Sequence, residues 1–172
     1  MPPLRWTSCL EKMGDSARSL NWKPFPGPAS VNSEFYQGRS SCQYHGYCNK
    51  GGCHVDAKNS TAVTTIPKAE ETGRLNVVTH AHATQIDVDD EGRVTGVTYL
   101  RDGEEFFQPA AVVLLASYTY ENVRLLLLSQ SRPFPIGLSN NHAQVGRHYL
   151  SHHQGAGVSA LFPLDLNAWY GL

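Results

Sequence analysis

Apolar residues recur along this chain with two different periods, and the change from one to the other separates its elements. Near the start, Leu10, Met13, Ala17 and Leu20 recur at helical spacing and predict a helix over Thr7–Leu20. Pro24, Pro26, Gly27 and Pro28 then exclude regular helix or central strand, so an extended covering segment is expected there. Thr61–Glu70 reads as a strand leading into a helix, and Leu75–Thr79 as a strand. Beyond that the period becomes two. Thr84, Ile86 and Val88 alternate with polar residues up to Asp89, Asp90, Glu91 and Gly92, a hairpin turn. Val94–Leu100 returns with Val97 and Tyr99 alternating, and Asp102 and Gly103 supply the next turn, which together predict an antiparallel meander.

Periodicity then disappears. Ala110–Ala116 is a continuous apolar run of the kind expected for a strand buried on both faces. Ser117–Thr119 form a short junction, and Glu121–Ser129 holds Val123 and the leucines Leu125–Leu128, which predicts a buried strand passing straight into a buried helix. After Pro133 there are turn signals at Gly137–Asn141, then Val145, Gly146, Tyr149 and Leu150, and an apolar stretch around Val158–Phe162. The expected fold class is therefore α/β with α+β elements: a meander beside a strand-turn-helix unit.

Composition narrows the function classes. With 41% hydrophobic residues in 172, the chain can bury a core of about one domain. Its 14 basic and 15 acidic residues are scattered rather than striped, so a nucleic-acid partner is not expected. No apolar run reaches the roughly 20 residues that cross a bilayer, so no transmembrane segment is expected.

Three places could carry chemistry. Cys42, His45, Cys48, Cys53 and His54 lie in one glycine-rich loop, Gln37–Lys58, with soft sulfur ligands and backbone free to wrap. The spacing matches no common zinc or ferredoxin pattern, which leaves two readings: a metal site at Cys42, Cys48 and Cys53, or cysteines buried or disulfide-paired in a structural loop. The second place is the junction at Ala116 and Ser117. In doubly wound sheets, ligands sit beyond the carboxyl ends of strands, where helix amino termini favour anions; the plainer alternative is an ordinary packed unit. Third, His148 and His152 would share one face of a helix, but no carboxylate accompanies them, and surface or hydrogen-bonded histidines are the expectation. The chain contains no GxSxG, GxxxxGK[ST] or GxGxxG pattern.

The order of these stretches from Trp22 to His152 resembles the glucose, methanol and choline oxidoreductases, in particular the branch of gluconate, sorbitol and fructose dehydrogenase flavoprotein subunits. The resemblance is carried by several stretches in turn. They are Trp-Lys-Pro-Phe-Pro-Gly-Pro-Ala at 22–29; Tyr36, Gly38 and Arg39; the cysteine loop to Ala57 and Lys58; Pro67, Lys68, Ala69 and Gly73; Leu75–Ala83; the meander; the run to Ala116; Glu121–Ser129; and Val145, Gly146, Arg147 and His152. It implies a flavin adenine dinucleotide (FAD) domain and the start of a substrate domain, in an enzyme that oxidises the CH–OH group of a sugar, polyol or sugar acid by hydride transfer to flavin. The implied divisions are 1–58 (covering segment and cysteine loop), 59–135 (partial FAD domain) and 136–172 (start of the substrate domain). Ala83, Ala116 and Ser117 are the implied cofactor-binding residues, with Ala83 and Ser117 standing where Val and Gly are more usual. Cys42, Cys48 and Cys53 match cysteines that hold an iron–sulfur cluster in some members, with His45 where several have a further cysteine. An alcohol or sugar substrate and an electron-acceptor subunit or cytochrome are the implied partners. The dinucleotide fingerprint is expected before residue 1 and the catalytic histidine after residue 172, so no catalytic residue is assigned. The alternative is a metal-binding or iron–sulfur electron-transfer module built on the cysteine loop.

Overall fold

A computed structural model describes residues 1–46, 48, 51–152, 157 and 159–163. Its contacts divide it into two compact units, one built on Met1–Asn76 and one on Val77–Ala156.

The first unit opens with helix α1, Ser8–Ser19, within a residue of its expected bounds. The Thr7 hydroxyl accepts from the Leu10 N–H at 3.4 Å, Glu11 sits in the first turn and Arg18 in the last, each complementing the helix dipole. The expected apolar face is a correction, because Leu10, Met13 and Leu20 are exposed. What α1 buries instead is Gly14, under the Trp6 ring, with the Arg18 guanidinium 5.5 Å from that ring's centre. Thr61–Val63 is a turn of 3-10 helix followed by α2, Thr65–Glu71, rather than the expected strand before a helix.

The cysteine loop is closed at its base. Val31 and Lys58 form an isolated antiparallel bridge, the Asn32 N–H donates to the Ala57 carbonyl at 2.8 Å, and the Cys42 N–H donates to the Asn32 carbonyl at 2.8 Å. Lys58 Nζ donates to the Cys48 carbonyl at 2.5 Å and the Gly51 carbonyl at 3.2 Å. A cationic tether of this kind satisfies loop carbonyls that have no ladder partner.

In the second unit the meander is realised: β1 (Ala81–Val88), β2 (Val94–Arg101) and β3 (Glu104–Pro109) form an antiparallel sheet in the order β1-β2-β3. Its register shifts between Ala83 and Gln85, where Thr84 is the extra residue, and its hydroxyl donates to the Thr98 carbonyl at 3.1 Å. Such a bulge resets the alternation. Ala83 and Ile86, an odd number of positions apart, consequently face the same core, and Thr84 does not take the inward place that strict alternation gives it. Helix α3, Thr119–Leu128, lies across this face, and Ile86, Leu125 and Leu138 form the core, with Val113, Leu115 and Phe134 packed against it.

Two expected strands are absent. Leu75–Thr79 and Ala110–Ala116 carry no ladder, and Val112 and Leu114 are 84% and 88% exposed. The buried strand of the strand-turn-helix unit is therefore corrected to an irregular segment. Strand formation depends on a hydrogen-bonding neighbour, and no described strand pairs with either segment. The tail after Ile136 is held by turns: the Leu138 N–H donates to the Leu126 carbonyl at 2.8 Å, and Asn140 Oδ1 accepts from the Val145 N–H at 3.0 Å. No helix forms at His148–His152. Leu161 and Phe162 lie outside any strand, while His153 and Val158 fall outside the described residues.

Candidate functional site

The head of α3 faces the first half of β1 across a cavity of about 290 Å³ lined by Ala81, His82, Ala83, Ser117, Glu121, Arg124 and Leu125. Ala83 and Ser117, far apart in sequence, thus share one cavity, and Ala116 adjoins it without lining it. On the strand side the lining residues are Ala81 and Ala83, which end at Cβ, and His82 between them.

The turn into α3 is held by one side chain and one strained residue. Asn122 Oδ1 accepts from the Ser117 N–H at 2.8 Å, while the Asn122 N–H donates to the Tyr118 carbonyl at 2.8 Å. Tyr118 has φ 76° and ψ 158°, a region nearly reserved for glycine, which costs on the order of 1–3 kcal/mol. No side chain among the described residues caps the first turn of α3. Its leading N–H groups therefore keep the donor character and partial positive charge that helix starts offer to anions.

Arg124 forms the polar wall. It pairs with Glu121 Oε2 at 2.7 Å and reaches His82 Nε2 at 3.3 Å. A guanidinium only donates, so His82 Nε2 must be the acceptor, with the ring proton on Nδ1. At the other end of the helix the buried Ser129 hydroxyl accepts from the Ile86 N–H at 2.9 Å and donates to the Leu125 carbonyl at 2.6 Å. The two walls are thereby tied together at both ends. The i,i+3 spacing of Glu121 and Arg124 was a readable signal for their ion pair, whereas the role of His82 depends on β1 lying beside α3.

The cysteine loop behaves differently. Cys42, Cys48 and Cys53 are half-buried free thiols, not disulfides, and no group of three or more His, Cys, Asp or Glu among the described residues is arranged to hold a metal ion. Instead, the Tyr44 N–H donates to Cys42 Sγ at 3.4 Å, and Cys48 Sγ donates to the His45 carbonyl at 3.0 Å. The Lys58 backbone N–H, helped by those of Val55 and Ala57, lowers the Cys53 thiol below its ordinary pKa against the opposing effect of burial. The His45 and His54 rings stack with centres 4.5 Å apart. The iron–sulfur expectation gains no support from this arrangement. No described helix is long and apolar enough to cross a membrane.

No family model matches the chain. It is 29% identical over 158 residues to the gluconate 2-dehydrogenase flavoprotein of Pantoea cypripedii, covering 87% of this chain and 25% of that protein. It is 26% identical over 134 residues to the 6'''-hydroxyparomomycin C oxidase of Streptomyces lividus, covering 77% of this chain and 24% of that protein. To the 2-methyl-1,2-propanediol dehydrogenase of Mycolicibacterium austroafricanum it is 27% identical over 154 residues, covering 88% and 27%. The chain spans about a quarter of the length of the curated relatives it matches.

Proposed function

We propose that this chain is part of an FAD-dependent oxidoreductase of the glucose, methanol and choline type, acting on the CH–OH group of a sugar, polyol or sugar acid. The observation that carries the reading is the meeting of Ala83 and Ser117 at one cavity beside the uncapped head of α3. The matches to one protein named as a flavoprotein and two named as an oxidase and a dehydrogenase support it independently.

The residues present suit one end of a dinucleotide. Ala81 and Ala83 let a planar group lie against β1 backbone, and the free N–H groups of the first turn of α3 suit a phosphate. Ser117 lines the same cavity, as does Arg124, whose guanidinium is paired with Glu121, another lining residue. Flavin, when bound, would accept a hydride from the alcohol carbon. This chain's share of that work is to hold and orient the dinucleotide. No base for the substrate hydroxyl is assigned to it, and an electron-acceptor subunit or cytochrome would take the electrons onward.

The test is made on the full product of the gene. It should purify yellow, and its colour should bleach on addition of gluconate, sorbitol or a simple diol. Ala83→Trp, which fills the cavity, should abolish the colour. A colourless full-length product, or a flavin that none of these alcohols reduces, would overturn the reading.

A further inference from the structure

A cleft of about 790 Å³ opens beside the head of α3, and none of its lining residues lines the cavity of Ala83. Its wall is a row of tyrosines. The Tyr118 and Tyr120 ring centres lie 5.6 Å apart, and those of Tyr120 and Tyr149 lie 5.4 Å apart. All three residues are more than half exposed. Elsewhere among the described residues no tyrosine ring meets another: Tyr99 stacks on Phe106, and the Tyr44 ring lies under the Arg5 guanidinium.

Two separate segments are brought together to make this row. Tyr118 and Tyr120 stand at the head of the helix, and Tyr149 stands in the tail beyond the turns that Asn140 holds. Gly146, at φ 83°, lets that tail approach the helix, since a Cβ there would stand 3.1 Å from Val123 Cγ1. Hydrogen bonding with the Tyr120 hydroxyl, and to a smaller degree its charge, raises the Tyr149 phenol above its ordinary pKa. Tyr149 is therefore protonated at neutral pH, and the two hydroxyls are held together.

Neighbouring phenols have a reaction of their own. A one-electron oxidant takes an electron and a proton from each ring, and the two phenoxyl radicals join through the carbons ortho to their oxygens. The hydrogen on each joined carbon then moves to its oxygen, which restores both phenols. With a haem peroxidase as the oxidant, two tyrosines and one hydrogen peroxide yield one carbon–carbon bond and two waters.

Geometry chooses between the two pairs. Tyr118 and Tyr120 stand 75° apart in plane, an arrangement that sets a ring edge against a ring face. Tyr120 and Tyr149 are tilted by only 40° and meet at their hydroxyl ends. The ortho carbons are one bond from the carbon that bears the hydroxyl, so joined hydroxyls bring them together. Exposure alone would favour Tyr118, which at 66% is the most open of the three.

We propose that Tyr120 and Tyr149 are a site of oxidative modification, where a haem peroxidase and hydrogen peroxide join the two rings in a dityrosine cross-link. The bond closes the chain from 120 to 149 into a loop and fixes the tail to the head of α3. It goes beyond the flavin reading and does not depend on it.

The test treats the 172-residue chain with a haem peroxidase and stoichiometric hydrogen peroxide, followed by trypsin and mass spectrometry. Cleavage after Arg101, Arg124 and Arg147 places the two tyrosines on peptides 102–124 and 148–172. A joined pair of these peptides, two hydrogens lighter than their sum, should be the main product, with fragment ions that place the bond at Tyr120 and Tyr149. Tyr120→Phe and Tyr149→Phe, which keep the ring and remove the phenol, should each lower its yield about tenfold or more, the advantage of rings already in contact over rings that must meet by diffusion. Tyr118→Phe should keep the cross-link, and unfolding in concentrated urea should scatter the bonds among all the tyrosines. Circular dichroism of the phenylalanine variants checks that each still folds. A main bond at Tyr118 or Tyr170, products joined chiefly between chains, a yield that survives Tyr149→Phe, or the same bond pattern in urea would overturn the proposal.

Discussion

Ser129→Ala isolates one hydrogen bond on which the α3–β1 pairing depends. Ser129 is 1% exposed, and its hydroxyl is the acceptor for the Ile86 N–H, itself in a residue only 4% exposed. The other contact of that hydroxyl is expendable, because the Leu125 carbonyl still receives the Ser129 backbone N–H at 3.0 Å. The substitution therefore orphans a single buried donor. Leaving such a group unsatisfied costs about 1–3 kcal/mol, and for a unit of this size each kcal/mol lowers Tm by about 4–8 °C. Ser131→Ala is the internal control: its buried hydroxyl has no partner among the described residues, so its removal should be neutral or slightly stabilising. Urea denaturation followed by circular dichroism measures both, and amide hydrogen exchange at Ile86 locates the effect. If the two alanine variants have equal stability and Ile86 exchanges at its wild-type rate, the Ser129 bridge does not hold the helix to the sheet.

Gly96→Ala should detach β3, since a Cβ at Gly96 would stand 2.5 Å from the Phe107 ring and overlap the Gln108 carbonyl. The expected loss is about 1–3 kcal/mol, with faster exchange of the Ala110 amide, which bonds the Thr95 carbonyl at 3.0 Å; unchanged exchange there would refute it. Asp89 accepts from the Glu91 N–H at 3.1 Å and from the Arg93 N–H and guanidinium at 2.8 Å each, and the Arg93 N–H foremost holds its carboxyl below the ordinary range. A depressed folded pKa adds stability that is fully present above the unfolded pKa and is lost as pH falls through the folded value. Asp89→Asn should accordingly flatten the acid limb of the stability profile, and a limb of wild-type steepness would count against the role of Asp89. Cys53, with its thiol acidified by backbone N–H groups, should react with iodoacetamide at neutral pH before Cys9, as read by peptide mass mapping; equal labelling would count against that microenvironment.

The features that were legible in sequence are those decided within a few residues. Thr7 and Leu20 bracket α1 because capping is local, and Asp89–Gly92 and Asp102–Gly103 place the meander because turns are local. Apolar content proved a poorer guide to burial. Of the leucine run only Leu125 is fully buried, because a helix on one face of a sheet turns one stripe inward, while Leu127 and Leu128 face outward. Ala110–Ala116 has the composition of a strand covered on both sides, yet only Val113 and Leu115 pack inward. Composition records the capacity for burial, while neighbouring strands determine whether it occurs. The inward place of Ala83 was similarly hidden, since the bulge at Thr84 that sets it exists only in the pairing with β2.

The candidate site follows the same division, and its geometry explains why the core and the cavity stand or fall together. Ala83 and Ser117 could be singled out by resemblance, but nothing along the chain announces that they share a cavity. Their meeting depends on the crossing of α3 over β1, which three features set. Leu125 packs against Ile86 in the core and also lines the cavity, Ser129 ties the Ile86 backbone to the end of the helix, and Arg124 reaches His82 near its start. Loosening the Ser129 end lets the helix pivot about its head, where Tyr118 is already held against its own backbone preference. A pivot there carries Leu125, which lines the cavity, away from β1 without altering Ala83 or Ser117. Ser129→Ala should therefore widen the cavity as well as destabilise the unit, whereas Gly96→Ala, whose added methyl group meets Phe107 and Gln108 of β3, should destabilise the unit and leave the cavity intact.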